Sequence, residues 1–252
     1  MIDLHAHILP GLDDGVSTVE EARELARRAV ADGITAIAAT PHVRDDYPTT
    51  PAQMEAAVRD LRQELRVADI AVEILPGGEI ALDRLGLLDR EDLLRFSLAQ
   101  SGRYLLVEFP YVGWPLALET SLWKVRAAGL VPIVAHPERN REVQERPDLL
   151  APLVAAGTLV QVTAASLDGR LGRSSQRTAV ALLKDGTAHL IASDAHGSAI
   201  REAGLADAFA AVGDVQLARY LTDEVPAAIV AGDALPIRPV RTRTRRLSRR
   251  RA

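Results

Sequence analysis

Histidines and acidic residues recur in this sequence at or beside the ends of short apolar runs. His5 and His7 stand two residues apart in the opening segment IDLHAH, and Asp194 and His196 repeat that spacing near the other end. Residues two apart on an extended strand point to the same face, so each pair could share a metal ion. Imidazoles and carboxylates gathered at one end of a set of strands predict a multinuclear metal site. The further candidate ligands between these pairs are Asp14, His42, Glu79, Glu108 and His136.

Taken one at a time, such residues have ordinary structural interpretations. A single histidine is more often a surface or satisfied core residue than a ligand, and His189, at the start of a predicted strand and remote from the others, fits that interpretation. Asp13 and Asp14 precede Gly15, and Asp-Gly is a turn signal. Glu108 alone would be a solvated carboxylate at a strand end. The recurrence of the whole set where strand ends meet is what predicts metal binding.

Two arginines closely follow candidate ligands. Arg139 comes three residues after His136, and Arg201 comes five residues after His196. A guanidinium group can hold two phosphate oxygens in a fork, so these positions predict a phosphate-bearing substrate; a surface ion pair is the alternative for each. The sequence has neither a glycine-rich phosphate loop nor a Gly-x-Ser-x-Gly elbow, so a nucleotide-binding or serine-hydrolase function has little support.

The composition limits the chemistry further. The 252 residues include no cysteine, which excludes disulfides, thiolate-bound zinc and thiolate nucleophiles. The formal net charge is −4, but eight arginines and no acid lie between Arg238 and Arg251, so the preceding residues carry −12. An acidic body disfavours nucleic acid as a partner. We find no signal peptide and no apolar run near the ~20 residues that span a bilayer, so we expect a cytoplasmic protein.

Seven short apolar runs alternate with amphipathic segments along the chain. They are too short and too continuously apolar for half-exposed strands and are typical of buried parallel strands. Capping boxes at Thr18 with Glu21 and at Thr50 with Gln53 begin two of the intervening helices. The predicted strands span 2–5, 35–39, 72–75, 104–108, 131–135, 159–162 and 189–192. Further helical patterns lie near 115–128, 147–156, 175–185 and 202–212.

This strand-then-helix order predicts an α/β fold with a parallel sheet and outer helices. Seven units could close into a TIM-like (β/α)7 barrel, with a doubly wound open sheet as the alternative. Both folds bind ligands at the carboxyl ends of their strands, where most of the candidate ligands lie. We assign residues 1–237 to this domain. The arginine-rich segment 238–252 is predicted to be disordered, because eight arginines cannot bury themselves.

The ordered set of candidate ligands resembles the PHP (polymerase and histidinol phosphatase) metallohydrolases. Four segments are more specific: IDLHAHILPGLDDG at 2–15, ATPH at 39–42, HPER at 136–139 and SDAHG at 193–197. Together they look like the manganese-dependent protein-tyrosine phosphatases of bacterial capsule and exopolysaccharide loci. The resemblance runs from Met1 to about Pro239 and leaves out the arginine-rich segment.

The resemblance implies a distorted TIM-like (β/α)7 barrel of the PHP fold with two or three divalent metal ions at its mouth. It implies Mn²⁺ as the metal, although mixed nitrogen and oxygen ligation also admits Fe, Zn or Co. It further implies that Arg139 and Arg201 hold the substrate phosphate. The residues that it assigns to the metals are His5, His7, Asp14, His42, Glu79, Glu108, His136, Asp194 and His196.

The implied substrate is phosphotyrosine on the tail of a tyrosine kinase that controls polysaccharide synthesis and export. The implied mechanism is direct in-line attack by metal-bound hydroxide, without a phosphoenzyme. Two other functions stay open: a PHP phosphoesterase acting on a small metabolite such as histidinol phosphate, and a metal-binding regulatory module without catalysis. Segment 238–252 is expected to be a solvated extension, with contact to an acidic partner or the membrane surface as the alternative. The sequence does not predict the oligomeric state.

Overall fold

The computed structural model describes residues 1–108, 110–197 and 204–239. Nine strands lie in these ranges, and every ladder between them is parallel. They are β1 Ile2–Ala6, β2 Ala36–Ala39, β3 His42–Val43, β4 Glu73–Pro76, β5 Glu79–Ala81, β6 Tyr104–Glu108, β7 Val131–Ala135, β8 Leu159–Thr163 and β9 Leu190–Ala192.

Eleven α-helices lie between and after the strands in the same ranges. They are α1 Val19–Ala31, α2 Pro51–Val67, α3 Arg90–Arg95, α4 Leu118–Ala127, α5 Arg141–Glu145, α6 Ala151–Ala155, α7 Ala164–Leu167, α8 Arg173–Asp185, α9 Ala206–Val212, α10 Val215–Arg219 and α11 Val225–Ala231. Short 3₁₀ helices span Arg84–Gly86, Leu98–Gln100, Pro137–Arg139 and Pro147–Leu150, and a π-helical turn, Tyr220–Glu224, joins α10 to α11.

The strands form two sheets, ordered β1-β2-β4 and β3-β5-β6-β7-β8-β9. Thr40-Pro41 separates β2 from β3, and Gly77-Gly78 separates β4 from β5, so two of the predicted strands continue into the second sheet after a short break. A parallel bridge joins Ala6 to Ala195, just beyond β9. The first and last strands are therefore neighbours, which confirms the parallel TIM-like arrangement and does not fit the doubly wound alternative.

Both predicted capping boxes are present. The Thr18 side chain accepts from the Glu21 amide at the start of α1, and the Thr50 side chain accepts from the Gln53 amide at the start of α2. The apolar face of α2 buries Met54, Val58, Leu61 and Leu65, and this helix packs on β4. The helices thus lie outside the strands and leave the strand ends to form the site.

The differences from the predicted elements have simple causes. Strands β3 and β5 have two and three residues, too few to show a periodicity. Helix α4 begins at Leu118 rather than 115, after a turn in which the Leu118 amide donates to the Pro115 carbonyl. The predicted helix 147–156 divides into a 3₁₀ turn and α6. Within the described residues, the protein has no helix of the length and apolarity that crossing a membrane requires.

Arg238 is packed against the domain at the end opposite the candidate site. Its guanidinium donates to the carbonyls of Ala188 and Leu183 and lies over the ring of Tyr220. The neighbouring His189 lies at this same end, outside the histidine cluster, and its Nδ1 accepts a hydrogen bond from the Val160 amide. The rest of the predicted arginine-rich segment, from residue 240 onward, lies outside the described residues.

Candidate metal centre

All nine predicted ligands come together at the carboxyl ends of the strands. His5 lies on β1, His42 begins β3, Glu79 begins β5 and Glu108 ends β6. The others lie in the loops that follow β1, β7 and β9. The carboxyl ends of parallel strands meet at one mouth, so these loops lie close together. Four overlapping sets have ligand atoms within 4.8 Å of one another: His7, Asp14, His42 and His196; His5, Glu79 and His136; His5, His7 and Asp194; and His42, Glu79 and Glu108.

The innermost donors converge on one point. His5 Nε2 lies 3.2 Å from His7 Nε2, 3.3 Å from Glu79 Oε2 and 3.4 Å from Asp194 Oδ1. His7 Nε2 lies 3.4 Å from the same Glu79 oxygen and 3.5 Å from the same Asp194 oxygen. Four donors arranged tetrahedrally about a metal at about 2.1 Å are separated by about 3.4 Å. These spacings fit a divalent ion, and all four side chains are buried.

A second group of donors lies nearer the solvent. Asp14 Oδ1 is 3.3 Å from His42 Nε2 and 3.3 Å from His196 Nε2. The Asp14 side chain is 36% exposed, whereas the side chains of His42 and His196 are 5% and 3% exposed. Asp14 therefore reaches over the mouth from the loop that follows β1.

Glu79 connects the groups through its two oxygens. Its Oε1 accepts from His136 Nε2 at 3.0 Å, while its Oε2 faces His5, His7 and, at 3.0 Å, His42 Nδ1. Glu79 Oε2 and His42 Nδ1 are buried, and neither makes a hydrogen bond of regular geometry within the described residues. A buried carboxylate oxygen and a buried ring nitrogen without hydrogen bonds are what a bound cation would satisfy.

Burial and neighbouring charges shift the pKa values of several groups in the site. Burial would lower the pKa of His5, but the carboxylates of Glu79 and Asp194 raise it. The same balance, with Asp14 and Glu79, raises the pKa of His42 to about 9. Burial and the neighbouring Glu79 raise the pKa of Glu108 to about 7. Binding of a divalent ion by these groups would therefore compete with protons.

Two ligand positions have left-handed backbone conformations. His136 has φ 35° and Asp194 has φ 53°, values that are uncommon for residues other than glycine. Each follows a strand directly or closely, so the turn aims the side chain back across the strand ends. Such conformations cost free energy and persist where the surrounding structure fixes them, often at functional sites.

Outer hydrogen bonds orient the histidines, and the sequence analysis did not identify their partners. Asp13 Oδ2 accepts from His7 Nδ1 at 2.7 Å and from the His42 amide at 2.9 Å. Gln161 Oε1 lies 3.1 Å from His5 Nδ1. These contacts leave Nε2 of His5 and His7 facing the metal position. A signal existed for Gln161, because it is the polar residue inside the apolar run of β8.

Arg139 lies at the edge of the cluster. Its Nη1 donates to Asp194 Oδ2 at 2.5 Å, and its guanidinium lies 4.5 Å from the centre of the Tyr111 ring. Its side chain is 16% exposed, which leaves it accessible from the mouth. Arg201, the second predicted phosphate ligand, lies outside the described residues.

The sequence matches the family described as capsular polysaccharide synthesis, CpsB/CapC, over residues 1–225. Tyrosine-protein phosphatase YwqE of Bacillus subtilis is 38% identical over 198 residues, which cover 78% of this chain and 77% of that protein. Tyrosine-protein phosphatase CpsB of Streptococcus agalactiae is 26% identical over 217 residues, covering 83% of this chain and 88% of that protein.

A solved structure shows the same fold. It belongs to a pair, YwqE from Bacillus subtilis and CpsB from Streptococcus pneumoniae, described as unique metal-dependent tyrosine phosphatases. It matches with a TM-score of 0.84 and 33% identity over 96% of this chain and 100% of the other. Sequence and fold therefore agree over most of the molecule and confirm the predicted relationship. The chain belongs to the CpsB/CapC family of capsular polysaccharide synthesis proteins.

Proposed function

We propose that the protein is a metal-dependent protein-tyrosine phosphatase. The observation that carries the proposal is the convergence of nine histidine, aspartate and glutamate side chains at one mouth, in sets whose donor atoms lie within 4.8 Å. Relatives with this family's sequence are named tyrosine-protein phosphatases, and the matched structure is described as metal-dependent. The absence of cysteine from the sequence excludes the thiolate route to phosphotyrosine hydrolysis.

The residues suit two or three divalent ions, and Glu79 belongs to two of the donor sets that would hold them. His5, His7 and Asp194 would hold one ion near Glu79 Oε2. His136 lies beside Glu79 Oε1, and Glu108 forms a donor set with Glu79 and His42. Bound ions would neutralise phosphate charge and supply an activated water. The metal that we propose is Mn²⁺, which accepts the mixed nitrogen and oxygen donors present here.

The chain's own residues would bind and orient the phosphate. Arg139 is accessible at the mouth and can donate to phosphate oxygens, and Arg201 is proposed as a second donor on the basis of the sequence alone. In the overall reaction, a water oxygen bonds to phosphorus while the bond between phosphorus and the tyrosine oxygen breaks. The water gives up a proton, and the tyrosine oxygen gains one. The products are tyrosine and inorganic phosphate.

The substrate that we propose is a phosphotyrosine protein, in particular a tyrosine kinase that regulates capsule or exopolysaccharide synthesis. The family's description and the names of its relatives support this assignment. The cytoplasmic location and the possible membrane or acidic-partner contact of segment 238–252 stay predictions from the sequence.

The experiment that tests the function compares two substrates. Metal-loaded protein is given a phosphotyrosine peptide and, separately, histidinol phosphate, and released phosphate is measured. Turnover of the peptide alone supports the proposal. Turnover of histidinol phosphate alone would keep the metal site but assign the protein to small-molecule metabolism, and a metal-bound protein that hydrolyses neither would support the regulatory alternative.

A further inference from the structure

A cleft opens directly beside the metal centre, on the side of β5 and β6. Its volume is about 510 Å³, within the range of small-molecule sites. Glu108, one of the predicted metal ligands, belongs both to the cleft wall and to the His42–Glu79–Glu108 set. A group placed in the cleft would therefore be continuous with a phosphate at the metals.

The walls of the cleft are largely apolar. Leu82 and the two prolines Pro110 and Pro115 supply carbon surface, and the ring of Tyr111 completes one side. Arg44 adds a cation at the rim, where it pairs with Asp46 through two hydrogen bonds of 2.7 and 3.1 Å. An apolar pocket next to a highly charged centre suits a ligand that joins a phosphate to a flat hydrocarbon group.

The loop that carries Pro110 and Tyr111 is held in place rather than merely covering the site. Asn140 Nδ2 donates to the carbonyls of Pro110, at 2.7 Å, and of Gly113, at 3.0 Å. The Gly113 amide donates to Glu142 Oε2 at 2.8 Å, and the Arg141 amide donates to the Tyr111 carbonyl at 2.9 Å. These hydrogen bonds tie the wall to the turn that follows His136, one of the predicted metal ligands.

Tyr111 lies between the cleft and the residues of the metal centre. Its ring centre lies 5.7 Å from that of His136, and the Arg139 guanidinium lies 4.5 Å from the same ring. The Tyr111 residue is 40% exposed, so part of its surface is available to a ligand. An aromatic substrate group entering here would meet an aromatic side chain that is already oriented.

We propose that this cleft receives the aromatic ring of the phosphorylated tyrosine and makes the enzyme select aryl over alkyl phosphate esters, with Tyr111 as the specificity-determining residue. The inference rests on the proposed phosphatase function and deepens it. Phosphoserine would reach the metals but would leave the cleft empty, so it would lose the apolar contacts that orient phosphotyrosine.

The test fills the cleft without touching the metal ligands. Ala117, immediately before α4, and Ser121, within α4, both line the cleft, so Ala117→Trp and Ser121→Trp add bulk there. Ala127→Trp, at an exposed position on the same helix, is the matched control. Phenyl phosphate, phosphotyrosine peptide and phosphoserine peptide are the substrates, and the inhibition constant of inorganic phosphate reports the metal centre independently.

The proposal predicts that both filling variants raise KM for the two aryl phosphates at least tenfold and leave the inhibition constant of inorganic phosphate within twofold. Tyr111→Leu should raise the same KM values, and Tyr111→Phe, which keeps the ring, should raise them less than Tyr111→Leu does. Unchanged KM in the filling variants, or equal hydrolysis of phosphoserine and phosphotyrosine by the wild type, overturns the cleft assignment and leaves the phosphatase. A wild type that hydrolyses no ester overturns both.

Discussion

Arg139, the proposed phosphate-binding residue, forms an ion pair with Asp194, a proposed metal ligand. Arg139 Nη1 lies 2.5 Å from Asp194 Oδ2, while Asp194 Oδ1 faces Nε2 of both His5 and His7. One carboxylate oxygen thus points toward the metal position and the other toward the arginine. Arg139 can orient a metal ligand and still present donors to the mouth, because guanidinium has five N–H groups.

Arg139→Ala should lower kcat/KM for phosphotyrosine by about 100-fold, because a donor to the transferred phosphoryl group is lost. Its effect on bound metal, measured by elemental analysis, should be much smaller. Arg139→Lys keeps the charge but cannot form the fork and should recover only part of the activity. If Arg139→Ala loses metal in proportion to activity, the residue acts through Asp194 rather than on the substrate.

His42→Ala and Asp194→Ala should each abolish phosphatase activity while far-ultraviolet circular dichroism stays like that of the wild type. Both side chains supply donors to the metal sets, but neither belongs to the apolar core. His189→Asn is the control, because His189 lies outside the cluster and bonds to the Val160 amide. Activity retained by His42→Ala would show that the second group of donors is dispensable.

Asp13→Asn should weaken metal binding by about 10- to 100-fold without removing a ligand. The carboxylate holds Nδ1 of His7 and the amide of His42, so its loss frees the ring orientation of one ligand and the position of another. A metal titration by calorimetry measures the change. Asp46→Asn, on the surface beside Arg44, provides the control, and equal affinities in all three proteins would rule out an orienting role for Asp13.

His189 predicts a pH dependence of stability at the end of the domain opposite the metals. Burial, together with Arg238, lowers the pKa of His189 to about 4 from an ordinary value of 6.5. The unfolded chain therefore binds more protons between these values. The free energy of unfolding should fall as pH decreases from 6.5 toward 4, by at most about 3 kcal/mol from this group.

The contribution is measured as a difference between two proteins. Denaturant unfolding of the wild type and of His189→Asn across this pH window isolates it from the other histidines. The Asn oxygen can still accept from the Val160 amide, so the variant should remain folded. Parallel stability curves for the two proteins would contradict the lowered pKa.

The sequence predicts the parallel α/β fold and the nine side chains that the fold brings together, because both depend on local patterns. Continuous apolar runs mark the buried strands, and their ends mark the ligands. Gln161 and Asp13 escape prediction because their roles depend on partners that the fold brings together, such as His5 for Gln161. The pairing of Arg139 with Asp194 joins residues 55 positions apart. The conformation that brings them together includes a left-handed Asp194, which no local pattern indicates.

The central claim is that the nine clustered side chains bind the metal on which phosphotyrosine hydrolysis depends. The most direct test is hydrolysis of a phosphotyrosine peptide by metal-stripped protein as Mn²⁺ is added back. We expect no turnover after chelation, recovery that follows Mn²⁺ occupancy, and no effect of a thiol-alkylating reagent, since the chain has no cysteine. Full turnover by the metal-stripped protein would contradict the account.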